Sequence, residues 1–352
     1  MMPSSILNRA TFAAALSAVA FAPLAIADVK LNGSGASFPA PIYAKWFKDF
    51  SKQNKDIRVD YQSKGSGAGI QDFINGVVDF AGSDAAMKDD EIAQVEQGVV
   101  LLPITAGQVV LAYNLEGVDE LKLPRDVYPD IFLGTITKWN DERIVAANPG
   151  VDLPDEDITV VVRSDSSGTS YVFTGHLSNA SETFQAKVGT AKAPNWPDNK
   201  NLIKAPKNDG VTAQIKQIPG AIGYIEYGFA KLTKQPMALL ENQSGNFVAP
   251  GPETGAAALA AAEFSGGTLP NSEVPDLIAW VWDPAGENSY PIASFTWLLL
   301  YTEQDDDKAA ALRELVEYLI SEEAQGQADA LGYIPLPDEV IEKVRAAAEY
   351  IQ

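Results

Sequence analysis

The 352-residue sequence contains no cysteine and a single histidine, His176. Without cysteine, the chain has no disulfides, no thiolate metal site and no lipid-modified cysteine. Basic residues are also scarce, because 26 lysines and arginines stand against 47 acidic residues, for a formal net charge of -21. Such an acidic surface disfavours nucleic acid and anionic lipid as partners. An anionic ligand would therefore have to be held by short-range hydrogen-bond donors.

The first 27 residues are typical of a cleavable secretory signal peptide. Arg9 precedes a mostly apolar stretch, residues 10–26, and residues 25–27 read AIA, a small-x-small cleavage pattern. Pro23 interrupts the apolar run, which is also short for a membrane-spanning helix, so cleavage is favoured over an anchor. We predict export to the periplasm of a double-membraned bacterium.

A unit of strand, Gly/Ser turn and amphipathic helix recurs along the chain. Its first three copies begin at residues 29, 57 and 78, and the third ends its strand at Asp84. This alternation predicts a mainly parallel α/β sheet, in which ligands gather at the carboxyl ends of the strands. Roughly 325 residues without a linker are expected to form two interleaved domains.

Residues 163–169 read RSDSSGT and lie between a β-branched run, residues 158–162, and a helix predicted to start near Ser170. A guanidinium, small hydroxyls and helical amides at one strand end suit a small tetrahedral anion. The run before Arg163 is apolar, which is typical of a buried strand, so the guanidinium of Arg163 is also expected to be buried. A buried guanidinium needs a partner of opposite charge. Asp165 is expected to be that partner.

Two other kinds of site are disfavoured. A hydrolase with Ser167 as nucleophile would need His176 as its base, but the histidine follows more than two helical turns later and no Gly-x-Ser-x-Gly elbow is present. We interpret His176 as a surface or capping residue. The acidic run at residues 303–307 lacks the spacing of a calcium loop, so it is interpreted as an exposed helix start. No metal and no cofactor are predicted.

Five segments carry a family resemblance. They are residues 33–46 (GSGASFPAPIYAKW), 78–84 (VDFAGSD), 134–140 (GTITKWN), 163–170 (RSDSSGTS) and 219–227 (PGAIGYIEY). In this order they resemble the periplasmic phosphate-binding proteins of high-affinity phosphate ABC transporters. The resemblance covers nearly all of the chain that follows the signal peptide.

The resemblance implies a class II periplasmic binding protein fold, with two α/β lobes joined by crossing hinge strands around a ligand cleft. Residues 28–106 and 290–352 would form lobe I, and residues 107–289 would form lobe II. It further implies a monomer that binds inorganic phosphate with high affinity, catalyses no reaction and delivers its ligand to the membrane permease of an ABC importer.

The resemblance also implies which residues contact the phosphate. Lobe I would contribute the hydroxyl and amide of Ser37, the amide of Phe38, Ser66 and Asp84. Lobe II would contribute Arg163, Ser167, the amide of Gly168 and Thr169. Asp165 would brace Arg163, and Gly35 and Ala36 would support the first turn. Ser37 stands where familiar relatives have threonine, so the hydroxyl is kept.

Asp84 is the residue from which selectivity is expected. A carboxylate accepts a proton from phosphate but repels sulfate, which carries none at neutral pH. Arsenate carries the same protons as phosphate and would have to be excluded by size. Two alternatives stay open from the residues: a binding protein for another tetrahedral oxyanion, such as sulfate or molybdate, and a secreted phosphoesterase.

Overall fold

A computed structural model of the protein describes residues 29–352, so the predicted signal peptide lies outside the described part. The strands are β1 (Val29–Gly35), β2 (Ile57–Ser63), β3 (Phe80–Ser83), β4 (Val99–Tyr113), β5 (Lys122–Leu123), β6 (Thr159–Arg163), β7 (Leu202–Ala205), β8 (Ala221–Glu226), β9 (Leu239–Glu241), β10 (Phe247–Val248) and β11 (Ala293–Tyr301). The helices are α1 (Ala40–Gln53), α2 (Ser66–Ile74), α3 (Asp89–Ile92), α4 (Tyr128–Phe132), α5 (Glu142–Ala147), α6 (Gly168–Ala180), α7 (Glu182–Lys187), α8 (Lys207–Gln217), α9 (Tyr227–Thr233), α10 (Pro252–Leu259), α11 (Asp306–Leu319), α12 (Glu322–Gln325), α13 (Ala328–Leu331) and α14 (Asp338–Ala348).

The recurring strand, turn and helix units fold as the sequence predicts. In α1 the apolar residues recur every three to four positions, and the side chains on this face are all buried: Ile42, Tyr43, Trp46, Phe47 and Phe50. The helix packs beside β2, which pairs in parallel with β1, and β1 pairs in parallel with β3. The aromatic face of α1 is therefore core, and the turns that follow β1, β2 and β3 come together at one edge of the sheet.

Eight strands form one continuous sheet in the order β2-β1-β3-β11-β4-β8-β6-β7. We call β2, β1, β3, β11 and the start of β4 the first half-sheet, and the end of β4 with β8, β6 and β7 the second half-sheet. Parallel pairs lie on both sides, whereas β11 and β4 pair antiparallel with their neighbours. The α/β class is confirmed, but the sheet is mixed rather than mainly parallel.

Strand β4 joins the two half-sheets. All 15 of its residues are buried. Its first ten residues face β11, and its last five, Val109 to Tyr113, pair with β8. The sequence predicts two separate strands here, residues 101–104 and 108–113. One strand forms instead, since the ladder to β11 shifts register beside Pro103, which has no amide hydrogen to donate.

The C-terminal part of the chain returns to the first half-sheet. Strand β11 pairs with β3, and α11 packs on β1. A small sheet of β10, β9 and β5 lies apart from the main one. None of the helices in residues 29–352 combines the length and apolar character needed to span a membrane. The boundaries of the two lobes stay a prediction.

Candidate functional site

The predicted site residues lie at the carboxyl ends of strands from both half-sheets. Ser37 and Phe38 follow β1, Ser66 begins α2, and Asp84 directly follows β3. Arg163 ends β6, and its neighbours 167–169 form the start of α6. All eight predicted contact residues are buried: Ser37, Phe38, Ser66, Asp84, Arg163, Ser167, Gly168 and Thr169. The fold therefore brings both sequence segments to one buried place.

The two sides of the site contact each other through Asp84. The hydroxyl of Thr169, from α6, donates to Oδ2 of Asp84 at 3.3 Å. The hydroxyl of Ser66 donates to Oδ1 at 3.5 Å, and the amide of Asp84 donates to the same hydroxyl oxygen at 3.4 Å. A Cβ at Gly168 would overlap the carboxylate of Asp84 and the hydroxyl of Ser66, so only glycine fits there. Asp84 is thus enclosed by groups that can donate to it.

Arg163 is held in a fixed orientation by Asp165, as predicted. Its Nε donates to Oδ1 of Asp165 at 2.8 Å and Nη2 donates to Oδ2 at 2.6 Å, which is a bidentate pair. Oδ1 also accepts the backbone amide of Lys207 at 2.9 Å. Although burial opposes it, the guanidinium of Arg163 holds the pKa of Asp165 below its usual range. The remaining guanidinium nitrogen, Nη1, points into the site and donates to Thr169 at 3.2 Å.

Burial raises the pKa of Asp84 to about 7, because the carboxylate form loses its hydration. The positive charge of Arg163 and the hydroxyls of Thr169 and Ser66 act in the opposite direction, but they do not offset this loss. The group is only 1% exposed. Asp84 can therefore either hold a proton or accept one near neutral pH.

The start of α6 is formed by the residues that the sequence assigns to the anion. Ser167 is the N-cap, and its hydroxyl oxygen accepts the amide of Ser170 at 3.0 Å. The backbone amide of Ser167 donates to the carbonyl of Lys192 at 2.8 Å. The helix begins at Gly168, two residues before the predicted start. Because α6 is 13 residues long, its free amides and dipole favour an anion at this end.

The supporting turn before Ser37 is fixed by its neighbours. Gly35 has a φ of +139° and packs against the backbone of Gly82, so a side chain does not fit. The amide of Ala36 donates to the carbonyl of Gly82 at 2.8 Å, and its carbonyl accepts the hydroxyl of Tyr61 at 2.9 Å. The carbonyl of Phe38 accepts the hydroxyl of Tyr333 at 2.7 Å. The turn is therefore held from three sides.

Two sequence interpretations are wrong. His176 is not a surface or capping residue, because it is 1% exposed and its Nε2 lies 2.7 Å from the hydroxyl of Tyr128. Burial lowers the pKa of His176 to about 4, so the ring is neutral. The Gly/Ser turn at residues 63–69 predicts Ser66 as the N-cap of α2, but Gly65 occupies that position and Ser66 is the first residue of the helix. The hydroxyl of Ser66 turns to Asp84 instead.

Sequence reasoning missed Asn208, which lies in the first turn of α8 and is fully buried. Its Nδ2 donates to the hydroxyl oxygens of Ser37, at 3.0 Å, and Thr169, at 3.1 Å. Its backbone amide also donates to Ser37 at 3.1 Å. The sequence does contain a feature that could have indicated Asn208, because β7 ends at Ala205 and a helix follows directly, as in the segment of Arg163. The apolar pattern of α8 is too short for the start of that helix to be predicted from the sequence.

The described residues hold no group of three or more histidine, cysteine and acidic side chains arranged to bind a metal ion. In the acidic run at residues 303–307, Asp305 caps α11 by accepting the amides of Asp307 and Lys308 at 3.2 and 3.3 Å. This agrees with the interpretation of the run as a helix start.

The chain is similar over nearly its whole length to proteins of one family. A model of the PBP superfamily domain matches residues 22–323. The phosphate-binding protein PstS of Pasteurella multocida is 38% identical over 325 residues, covering 90% of this chain and 89% of that protein. The phosphate-binding protein PstS of Methanocaldococcus jannaschii is 36% identical over 326 residues, covering 88% and 83%.

A solved structure confirms the predicted fold. The high-affinity periplasmic phosphate-binding protein PfluDING, bound with phosphate, aligns with a TM-score of 0.73. The alignment covers 90% of this chain and 93% of that one, at 22% identity. The resemblance stated from the five segments is thereby confirmed, and the chain belongs to the phosphate-binding protein family of the PBP superfamily.

Proposed function

We propose that this protein binds inorganic phosphate, in its monobasic or dibasic form, between the two half-sheets and delivers it to an ABC importer. The observation that carries the proposal is a buried acceptor, Asp84, which accepts the hydroxyl of Thr169 from the opposite side of the site, next to the guanidinium of Arg163, which donates to that same threonine. Relatives at 38% and 36% identity are named phosphate-binding proteins, which supports the same ligand here.

Affinity comes from many donors rather than from a cluster of positive charges. Arg163 supplies a guanidinium already oriented by Asp165, and the first turn of α6 supplies the amides of Gly168 and Thr169. Ser37, Ser66 and Ser167 contribute hydroxyls, and the amide of Phe38 completes the proposed set. Each charge-assisted hydrogen bond contributes about 1.5 to 3 kcal/mol. Such a set binds a small anion tightly despite the strongly acidic chain.

Selectivity comes from Asp84. Phosphate at neutral pH carries at least one O–H, which Asp84 accepts as a hydrogen bond. Sulfate carries no proton, so its oxygens would face the carboxylate directly. Two unit charges about 4 Å apart repel by about 4 kcal/mol at an effective dielectric constant near 20. A sulfate or molybdate binder, the alternative from sequence, gains nothing from such an acceptor.

The arrangement of Ser167 and His176 supports binding rather than hydrolysis. Ser167 accepts the amide of Ser170 as a helix cap, and the ring of His176 is bonded to Tyr128. A serine nucleophile needs a base within hydrogen-bond reach of its hydroxyl, and neither ring nitrogen has Ser167 among its hydrogen-bond partners.

The proposal extends to the architecture and the location. Residues 28–106 with 290–352, and residues 107–289, would be the two lobes, with β4 as a crossing strand between them. The protein would act as a monomer in the periplasm after removal of residues 1–27. The membrane permease of the phosphate importer would be its partner.

The test is a thermal shift series with phosphate, sulfate, arsenate and molybdate, since a ligand of the native state raises the melting temperature. We expect the largest rise with phosphate and little change with sulfate or molybdate. A rise with sulfate equal to that with phosphate would contradict the proposal. Incubation with a chromogenic phosphoester, in which turnover would favour the phosphoesterase, completes the test.

A further inference from the structure

Asn208 connects two hydroxyls of the site that come from different half-sheets. Ser37 follows β1 in the first half-sheet, whereas Thr169 and Asn208 belong to helices of the second. Nδ2 of Asn208 lies 3.0 Å from Oγ of Ser37 and 3.1 Å from Oγ1 of Thr169. All three residues are at most 2% exposed. One amide group therefore reaches both sides of the site.

The orientation of this amide is determined by its other contact. Oδ1 of Asn208 lies 2.9 Å from the backbone nitrogen of Glu226, the last residue of β8. A backbone N–H can only donate, so the atom that faces it must be the amide oxygen. The NH2 group must then face Ser37 and Thr169. A strand paired to β4 thus fixes the direction of both side-chain N–H bonds.

The hydrogen bonds that the two hydroxyls accept decide what each can do with its own proton. The oxygen of Ser37 accepts two N–H groups, from the backbone and the side chain of Asn208. The oxygen of Thr169 accepts Nη1 of Arg163 and Nδ2 of Asn208. A hydroxyl oxygen has two lone pairs. In both residues these are filled, so each O–H can only donate.

We propose that Asn208 is a positioning residue of the anion site, which makes Ser37 and Thr169 obligate donors and leaves Asp84 to accept the proton of the ligand. This inference rests on the proposed function, because it takes phosphate as the ligand. A hydroxyl that can rotate and accept would tolerate a ligand O–H in the wrong place. With Asn208 in position, an unprotonated oxygen of the ligand faces the O–H of Ser37, and Thr169 donates its single O–H to Oδ2 of Asp84. A protonated oxygen of the ligand then faces the remaining lone pairs of Asp84.

Calorimetric titration with inorganic phosphate at pH 8 and pH 5 tests the role of the N–H groups. Asn208→Leu has a similar size but no donors, and we expect about 10- to 100-fold weaker binding than in the wild type. Asn208→Asp keeps the shape and regains one donor when protonated, and full burial at this position favours the protonated form at pH 5. At pH 5 it should therefore bind phosphate several-fold more tightly than Asn208→Leu, whereas a residue that only fills space would make the two variants equal.

A double-mutant cycle tests whether Asn208 acts through the two hydroxyls. In a Ser37→Ala, Thr169→Val background, Asn208→Leu should weaken binding by less than about threefold, since the groups it orients are gone. The matched control is Asn242→Leu, because Asn242 is equally buried and bonded but lies in the turn after β9. It should lower the melting temperature and change the phosphate affinity less than twofold.

Three results would overturn the inference: an Asn208→Leu affinity within twofold of the wild type, no advantage of Asn208→Asp at pH 5, or full additivity in the cycle. If Asn208→Leu lacks a cooperative melting transition, Asn208→Ala takes its place in both experiments. If the wild type itself does not bind phosphate, the proposed function is contradicted. This outcome is distinct from a failure of the inference about Asn208, which requires a wild type that binds phosphate.

Discussion

Replacing Asp84 by asparagine is the change that separates phosphate selectivity from phosphate affinity. The two side chains have the same shape, and the amide of the Asp84→Asn variant would still offer one oxygen to Thr169 or Ser66, which lie 3.3 and 3.5 Å from the carboxylate. The asparagine side chain differs from Asp84 in carrying no negative charge and in having one acceptor oxygen fewer. Because the position is 1% exposed, bulk solvent does not screen that charge.

The expected effect has opposite signs for the two anions. Sulfate is relieved of a repulsion of about 4 kcal/mol, taken for unit charges about 4 Å apart at an effective dielectric constant near 20. Phosphate loses a charge-assisted hydrogen bond of about 1.5 to 3 kcal/mol. Because the pKa of Asp84 is raised to about 7, the wild type can relieve part of the sulfate repulsion by taking up a proton, so the full sum of the two terms is not expected. At pH 8.5, where Asp84 is mostly ionised, the ratio of phosphate to sulfate affinity should fall by at least about a hundredfold.

Titration calorimetry with both anions at constant ionic strength measures this ratio. The matched control is Asp209→Asn, which makes the same change in charge on an exposed side chain that pairs with Lys207 at 3.3 Å. The control should leave both affinities within twofold of the wild type. If Asp84→Asn leaves the ratio of phosphate to sulfate affinity unchanged, Asp84 does not distinguish protonated from unprotonated anions, and the proposed basis of selectivity is wrong.

Three further predictions concern the same site. Arg163→Ala should weaken phosphate binding by about 3 to 5 kcal/mol, since the bound anion and the buried Thr169 lose their cationic partner and Asp165 is left half-buried without one. A calorimetric loss below about 1 kcal/mol would place Arg163 outside the site. Lys192→Met breaks the 2.5 Å ion pair between Lys192 and Glu91, which connects the sides of the two half-sheets. Phosphate should then dissociate about fivefold faster, as measured by stopped-flow tryptophan fluorescence, while the ratio of phosphate to sulfate affinity stays unchanged. An unchanged dissociation rate would show that the ion pair does not hold the site closed. The pKa of Asp84 in the native protein is raised to about 7, so the ligand-free protein should lose stability as pH rises from about 4 through 7. The melting temperature of Asp84→Asn should therefore exceed that of the wild type by an amount that grows toward pH 8. A difference that stays constant with pH would contradict the raised pKa.

The positions of Asp84 and Arg163 could be predicted because they depend on local pattern. Each stands at the end of an apolar strand, and the carboxyl ends of parallel strands meet at one edge of a sheet. The role of Asp165 beside Arg163 follows from their separation by a single residue and from the demand of a buried guanidinium for a partner. Short-range chemistry was sufficient for these three residues.

Other features depend on contacts between distant parts of the chain. Asn208 reaches Ser37 across 171 positions of sequence, and no pattern near either residue indicates that contact. His176 interrupts an apolar helix face, and its burial depends on Tyr128, 48 positions earlier. The continuity of β4 through Pro103 depends on β11, which lies far later in the chain. Packing determined these features, and local propensity did not.

The long strand β4 has a consequence for how the protein folds. Strand β4 supplies the hydrogen-bond ladders to both β11 and β8. If one half of the sheet separated from the other at β4, either β11 or β8 would lose its hydrogen bonds to that strand. Neither half can therefore unfold while the other keeps its full complement of backbone bonds. The ligand-free protein should consequently melt in one cooperative transition, and separately expressed halves, each deprived of part of this central strand, should not reproduce the stability of the intact chain.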